Sequence, residues 1–144
     1  MRPSKLSGGN FSVVLAILII FSLSSCSRKI SFARSTVVPA AEGQVKIKKD
    51  NNKNYSIDLN VMRLAEPKRL SPPKDTYVAW METEQNGTKN IGRLTTSSGL
   101  FSSTLKSSLS TTTPYKPTAF FITAEDDSNV QYPGGQVVLR TNSF

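Results

Sequence analysis

Few residues in this chain can do chemistry, and their spacing narrows what that chemistry is. The 144 residues contain no His and one Cys, at position 26. Histidine chemistry is therefore absent, and a lone thiol can build neither an intramolecular disulfide nor a Cys-rich zinc site. The remaining oxygen ligands favour hard cations such as calcium. Glu125-Asp126-Asp127 supplies three carboxylates, but calcium takes roughly six to eight oxygens and the run lacks EF-hand spacing, so a solvated turn is the simpler reading. Glu82 and Glu84 fall on one face of a strand and have the form of an acid/base pair. Beside a polar turn nothing would raise either pKa, and catalysis is not expected. Tyr77 and Trp80 offer aromatic faces on which a sugar or another planar group could stack, against which stands ordinary core packing. The sequence points to a protein that is not an enzyme and has no metal or soluble cofactor.

Cys26 stands in a setting of its own. Residues 1–25 begin with Arg2 and Lys5 and continue into the apolar run from Phe11 to Leu23, which is 13 residues long. A spanning helix needs roughly 20 residues, so a cleaved export signal is expected, its basic start staying on the cytoplasmic side. The next residues, Leu23-Ser24-Ser25-Cys26, resemble the bacterial lipobox. That resemblance implies that the Cys26 sulfur accepts a diacylglyceryl group as a thioether. It also implies that Leu23, Ser24 and Ser25 are read by the lipoprotein signal peptidase, and that Cys26 becomes the amino terminus. One acyl chain holds a protein only marginally, so two or more are expected. The alternative is ordinary secretory cleavage that leaves Cys26 an unpaired thiol. No Asp follows Cys26 and no acidic cluster follows it, which by lipoprotein sorting rules implies a periplasm-facing place in the outer membrane of the cell envelope.

The rest of the chain must position whatever remains. Residues 26–42, polar with Pro39-Ala40-Ala41 near the end, are expected as the lipidated Cys and a flexible tether, and residues 43–144 as the domain. Gln44 to Lys48 and Tyr55 to Val61 alternate apolar with polar residues around the turn formers Asp50 to Asn54, which predicts a hairpin of half-buried strands. Pro67, Pro72 and Pro73 exclude a central strand over 62–75 and predict a long crossover. Thr76 to Thr83 reads as a central strand, and Asn86-Gly87 as the tight turn into a returning strand at Asn90 to Leu94. A weaker strand is expected over Gly99 to Leu105. Residues 97–113 hold 11 Ser or Thr out of 17, so the part after Leu105 reads as a polar loop. Thr118 to Glu125 and Gln136 to Arg140 complete the set. About seven short strands, with no helical periodicity after the signal helix, predict an all-β fold: an antiparallel two-sheet sandwich of immunoglobulin-like type.

Four segments in order carry a second likeness. Leu70-Ser71-Pro72-Pro73-Lys74-Asp75-Thr76-Tyr77-Val78-Ala79-Trp80, Asn90-Ile91-Gly92, Phe121-Ile122-Thr123-Ala124-Glu125 and Pro133-Gly134-Gly135-Gln136-Val137-Val138-Leu139 resemble the extracytoplasmic C-terminal domain of anti-sigma-K factors. The match runs from about Leu59 to Thr141. It implies an envelope β-sandwich of sensor or interaction type. Regulators of that family also carry a cytoplasmic helical segment and a spanning helix, whereas ten residues precede the apolar run here. With Cys26 lipidated, direct inhibition of a sigma factor is not expected. Asp126-Asp127 also stands where the family often has Gly-rich sequence.

Charge completes the expectation. The formal net charge is +8. Residues 27–74 carry 11 Lys or Arg against 4 acids, and residues 75–144 carry 5 against 6. Such a basic half beside the anchor would face anionic lipid or an anionic glycan, each near-surface cation being worth on the order of 1 kcal/mol. Lys46 and Lys48 are the candidate contacts, with Tyr77 and Trp80; the plainer reading is that the lysines solvate a strand. Nucleic acid is not an expected partner, because no aromatic residues interleave with the lysines to stack on bases. Two functions follow: a membrane-anchored interaction domain with an envelope protein partner, or a glycan- or peptidoglycan-binding module.

Overall fold

The computed structural model describes residues 27–98 and 105–144. Among them are nine strands: β1 (Ser27–Ser31), β2 (Glu42–Lys49), β3 (Tyr55–Met62), β4 (Thr76–Thr83), β5 (Thr88–Arg93), β6 (Thr95–Ser98), β7 (Leu105–Thr113), β8 (Pro117–Glu125) and β9 (Gln136–Arg140). They form two sheets, of order β1-β2-β3-β7-β6 and β5-β4-β8-β9, with every neighbouring pair antiparallel. The all-β sandwich expected from the sequence is what forms, with nine strands where about seven were expected. The segment expected as a signal helix lies outside the described residues.

Alternation decides which way each strand faces. Val45 and Ile47 of β2 are opposite Leu59 and Ile57 of β3, and all four are buried, while Lys46 and Lys48 point out. The turn between them is held by Asp50, whose Oδ1 accepts the N–H groups of Asn52 and Asn54, each at 2.8 Å. Strands β4 and β8 are different, because both of their faces are covered. Tyr77, Ala79, Met81, Phe120, Ile122 and Ala124 face the other sheet and join its apolar residues in one core. Val78, Trp80 and Phe121 face outward and form a second, smaller cluster with Val130. This explains the absence of alternation in both runs. The Pro-rich stretch at 62–75 carries the chain from β3 in one sheet to β4 in the other, with a short 3-10 turn at Pro67–Arg69.

Two expectations fail for the same reason: the apolar signal is too thin. Residues 27–42 are not a free tether. β1 pairs with β2 along its whole length, from Ser27 opposite Lys48 to Ser31 opposite Gln44, and Val38 and Ala41 are buried in the core. Ile30 and Phe32 alternate toward that core, yet two apolar residues among polar neighbours do not announce a strand. Likewise 105–113 is not a loop but β7, which lies between β3 and β6. Its inward positions are Leu105, Ser107, Leu109, Thr111 and Thr113, so period two is present but written mostly in hydroxyl residues. The Ser107 hydroxyl meets that of Thr96 at 2.9 Å, which satisfies both where an apolar pair would otherwise pack. Residues 99–104, most of the weak strand expected over Gly99 to Leu105, lie outside the described residues.

Both long sides of the sandwich are laced. On one side the chain passes from β5 to β6, and so from sheet to sheet, at buried Leu94, whose N–H donates to the Tyr77 carbonyl at 3.0 Å. On the other, Ala33 N–H donates to Arg140 O at 2.9 Å and the Ser35 hydroxyl to Val138 O at 2.6 Å. The Ser35 oxygen also accepts the N–H of Val38 at 2.9 Å, which turns the segment back to the core.

Tyr77 gives the core a pH dependence. Its hydroxyl donates to Ala65 O at 2.8 Å, and burial pushes its pKa from 10.0 up to about 12. Between those values the unfolded chain loses a proton that the folded chain keeps, so this contribution is intact below about pH 10 and falls as pH rises toward 12. Urea unfolding is expected to show about 1 kcal/mol of stability lost between pH 9 and pH 11 through this residue, and Tyr77→Phe to remove that portion of the slope. A second measurement tests the tight approach of the β8–β9 loop. A Cβ on Gly135 would stand 1.8 Å from the Ala124 carbonyl oxygen, whereas one on Gly134 meets nothing nearer than 3.8 Å. Gly135→Ala is expected to cost more than about 2 kcal/mol and Gly134→Ala less than about 1.

Candidate functional site

The aromatic platform does not form. Tyr77 and Trp80 lie on opposite faces of β4, Tyr77 in the main core and Trp80 in the outer cluster. Trp80 has no accessible surface. Its ring stacks on Phe121 with centroids 6.1 Å apart, and the Arg140 guanidinium lies over Phe121 at 5.2 Å. The Trp80 Nε1–H donates to Thr123 Oγ1 at 2.8 Å, and that hydroxyl donates to Glu125 Oε1 at 2.6 Å. Oε1 also accepts the N–H groups of Gly134 and Gly135, at 3.2 and 3.0 Å. Trp80 and Tyr77 are thus structural residues and offer no ligand a surface.

The carboxylates disperse as well. Glu125 is buried in the relay just described, Asp126 pairs with Lys74 at 2.7 Å, and Asp127 Oδ1 accepts Asn129 N–H at 2.9 Å. The three point to different partners, which is not how a calcium site is built. Glu82 pairs with Arg140 at 2.6 Å and Glu84 with Lys116 at 3.0 Å. Each carboxylate therefore faces its own cation and not the other.

What the fold does assemble is an exposed polar face on the larger sheet. The outward positions follow from register: Lys29 is opposite Lys46, Lys46 opposite Asp58, and Asp58 opposite Ser110. The neighbouring row runs Ser27, Lys48, Ser56, Thr112 across the same four strands. Lys106 of β7 joins the face opposite Met62. Of its acids, Glu42 pairs with Arg63 at 2.6 Å, while Asp58 accepts the Ser110 hydroxyl at 2.7 Å and keeps its charge opposite Lys46, so Lys29 is the cation of this row without an acid beside it. Lys46 and Lys48 therefore stand where the sequence placed them, exposed on one strand face. Lys29 and Lys106 are additions that the sequence reading missed. The alternation Lys29-Ile30-Ser31-Phe32 was the available signal for the first; for the second only the pairing of β7 with β3 reveals it. Lys29 directly opposite Lys46 is a like-charge pair, an arrangement that costs stability in a sheet. Cys26, with Leu23, Ser24 and Ser25, lies outside the described residues.

The chain matches no family model, no curated protein and no solved structure. Two measurements test the site as described. Trp80 emission is expected to be blue-shifted and resistant to acrylamide in the native chain, becoming red-shifted and quenchable only on unfolding. Glu125→Ala, which leaves a buried hydroxyl and two partly buried N–H groups without their acceptor, is expected to cost about 2 kcal/mol in denaturant unfolding, against less than about 1 for Asp126→Ala.

Proposed function

We propose that this chain is a lipid-anchored protein of the bacterial cell envelope whose β-sandwich is a non-catalytic interaction domain, taking an acidic protein partner on the outer face of the larger sheet. The anchor is the diacylglyceryl thioether of Cys26, with Leu23, Ser24 and Ser25 as the processing site. The observation that carries the reading is the Lys29–Lys46 opposition beside Lys48. Two cations held face to face on an exposed sheet oppose folding by a few tenths to about 1 kcal/mol, and a carboxylate laid between them removes the repulsion. A stability cost on a surface with a possible counter-charge is the mark of a binding face. An exposed sheet face and its rows of hydroxyls suit an extended polar surface better than a small ligand.

Likeness to the outer domain of anti-sigma-K factors supports the same class, an envelope sandwich that meets another protein. The alternative, a glycan- or peptidoglycan-binding module, relied on an exposed Trp80 or a basic patch, and with Trp80 buried the patch is its sole support. Metabolic labelling with a fatty acid analogue tests the anchor: the chain takes up label and Cys26→Ala abolishes it, whereas an unlabelled mature chain overturns the proposal. Lys29→Thr, which removes the like-charge pair and leaves Lys46 opposite Asp58, tests the face. It is expected to raise stability by up to about 1 kcal/mol while weakening capture of the partner from envelope extracts. Unchanged capture by a Lys29→Thr/Lys46→Thr double variant would exclude this face.

A further inference from the structure

One end of the sandwich gathers lysines around tyrosines, and it is the end at which the chain enters. Ser27 is opposite Lys48, Lys49 is opposite Tyr55, and Tyr55 is opposite Thr113. Residues 114–116 then cross to β8, whose Pro117 faces Thr83 at the end of β4. The turn at 50–54, the crossing at 114–116 and the turn at 84–87 therefore sit together. Phe144 is there too, its N–H donating to Thr118 O at 2.9 Å.

This end carries Arg28, Lys48, Lys49, Lys53, Lys89, Lys116 and Arg140 against Asp50, Glu82 and Glu84. Glu84 is paired with Lys116 and Glu82 with Arg140, while Asp50 accepts the N–H groups of its own turn, so cations stand in excess by seven to three. Two of the lysines lie over aromatic rings: Lys49 Nζ is 5.5 Å from the centre of the Tyr55 ring and Lys89 Nζ is 5.3 Å from that of Tyr115. Tyr115 is 37% exposed, and Arg28 lies over the Phe144 ring at 4.8 Å. The opposite end differs, since there cations meet acids in the pairs Arg63–Glu42, Arg69–Glu66 and Lys74–Asp126.

Tyrosine and lysine share one physical habit: an apolar body with a polar tip, suited to the level of lipid headgroups. The geometry points to this end as a docking surface for an anionic phospholipid bilayer, with Tyr55 and Tyr115 at headgroup depth and the strands standing across the membrane surface. The occupant is argued from the excess of cations and from the chain itself, because position 26 is covalently next to Ser27. That second argument rests on the anchor proposed for Cys26; the first does not. Each cation brought to an anionic surface multiplies occupancy by roughly fivefold, so a handful holds this orientation against the others. Lys29, Lys46 and Lys106, farther along the larger sheet than Lys48, then stand clear of the lipid.

The test is lysine acetylation of the full processed chain on vesicles, read residue by residue by mass spectrometry. On phosphatidylglycerol vesicles Lys49, Lys53 and Lys116 are expected to react roughly fivefold or more slowly than on phosphatidylcholine vesicles, with Lys68 and Lys74 unchanged. In a Lys49→Glu/Lys53→Glu/Lys116→Glu variant with an unaltered melting temperature, Lys48 and Lys89 lose their protection. Equal labelling of both ends, or protection of Lys46 and Lys106 in place of the end, overturns the proposal. So does equal protection by a soluble polyglucuronate, which assigns the surface to an anionic glycan. The same spectra weigh the Cys26 peptide and separate the two proposals. Lipid mass without protection refutes docking alone, and protection without lipid mass refutes the anchor alone.

Discussion

Everything about how this domain presents itself depends on the hydrogen bonds by which residues 27–38 join both sheets. β1 completes the larger sheet through β2, and immediately afterwards Ala33 and Ser35 bind the carbonyls of Arg140 and Val138 at the edge of the smaller one. A sandwich made of two separate sheets has four open edges, each a row of unpaired backbone groups. Here one segment covers part of the β9 edge, and the passage through Leu94 ties the opposite side. The entry point of the chain is thereby fixed at one end of a rigid body. Face and end acquire definite directions relative to position 26 only because no slack lies between.

How much of this was legible in the sequence differs from element to element. β2 and β3 were legible because Val45, Ile47, Ile57, Leu59 and Val61 alternate with polar residues, and period two with one apolar face has few other meanings. β4 and β8 were legible from length and apolar character, although the second cluster that covers them was not. β7 was hidden because Ser107, Thr111 and Thr113 occupy inward positions where apolar residues are expected, and a Ser/Thr-rich stretch reads as loop until its partners are known. β1 was hidden because Ile30 and, just beyond its end, Phe32 alone carry its inward face, too thin an apolar signal among polar neighbours. Of the candidate site, Lys46 and Lys48 could be placed from alternation alone. Their meaning could not, since it comes from Lys29 on one neighbouring strand and Asp58 on the other, and cross-strand register is not written in local sequence.

The residues between the outer cluster and the β8–β9 loop have a physical reason to occur together. Trp80, Thr123, Glu125, Gly134 and Gly135 form one hydrogen-bonded path from the outer cluster to the β8–β9 loop. Each needs the next: an indole N–H buried without an acceptor, or a carboxylate without donors, is costly. Gly135 permits the close approach that brings the two N–H groups to Oε1. Gly92, with φ 127°, lies where β5 slips register against β4, and Leu109 of the facing sheet would stand 3.1 Å from a Cβ there. The charge asymmetry counted along the chain is likewise redistributed in space. Lys89 and Lys116, from the less basic half, join Lys48, Lys49 and Lys53 at one end.

The lacing between Ser35 and Val138 spans 103 positions. Chains are made from the amino end, so β1 is available long before the edge it closes. Pairing β1 with β2 can proceed early because those contacts are local, while the seam at β9 waits for the hundred or so residues between them. Until then one side of the apolar core stays open to solvent and to other chains. Closure of the fold is therefore gated by β9, and a chain shortened before Val138 has no seam with which to shut the sandwich.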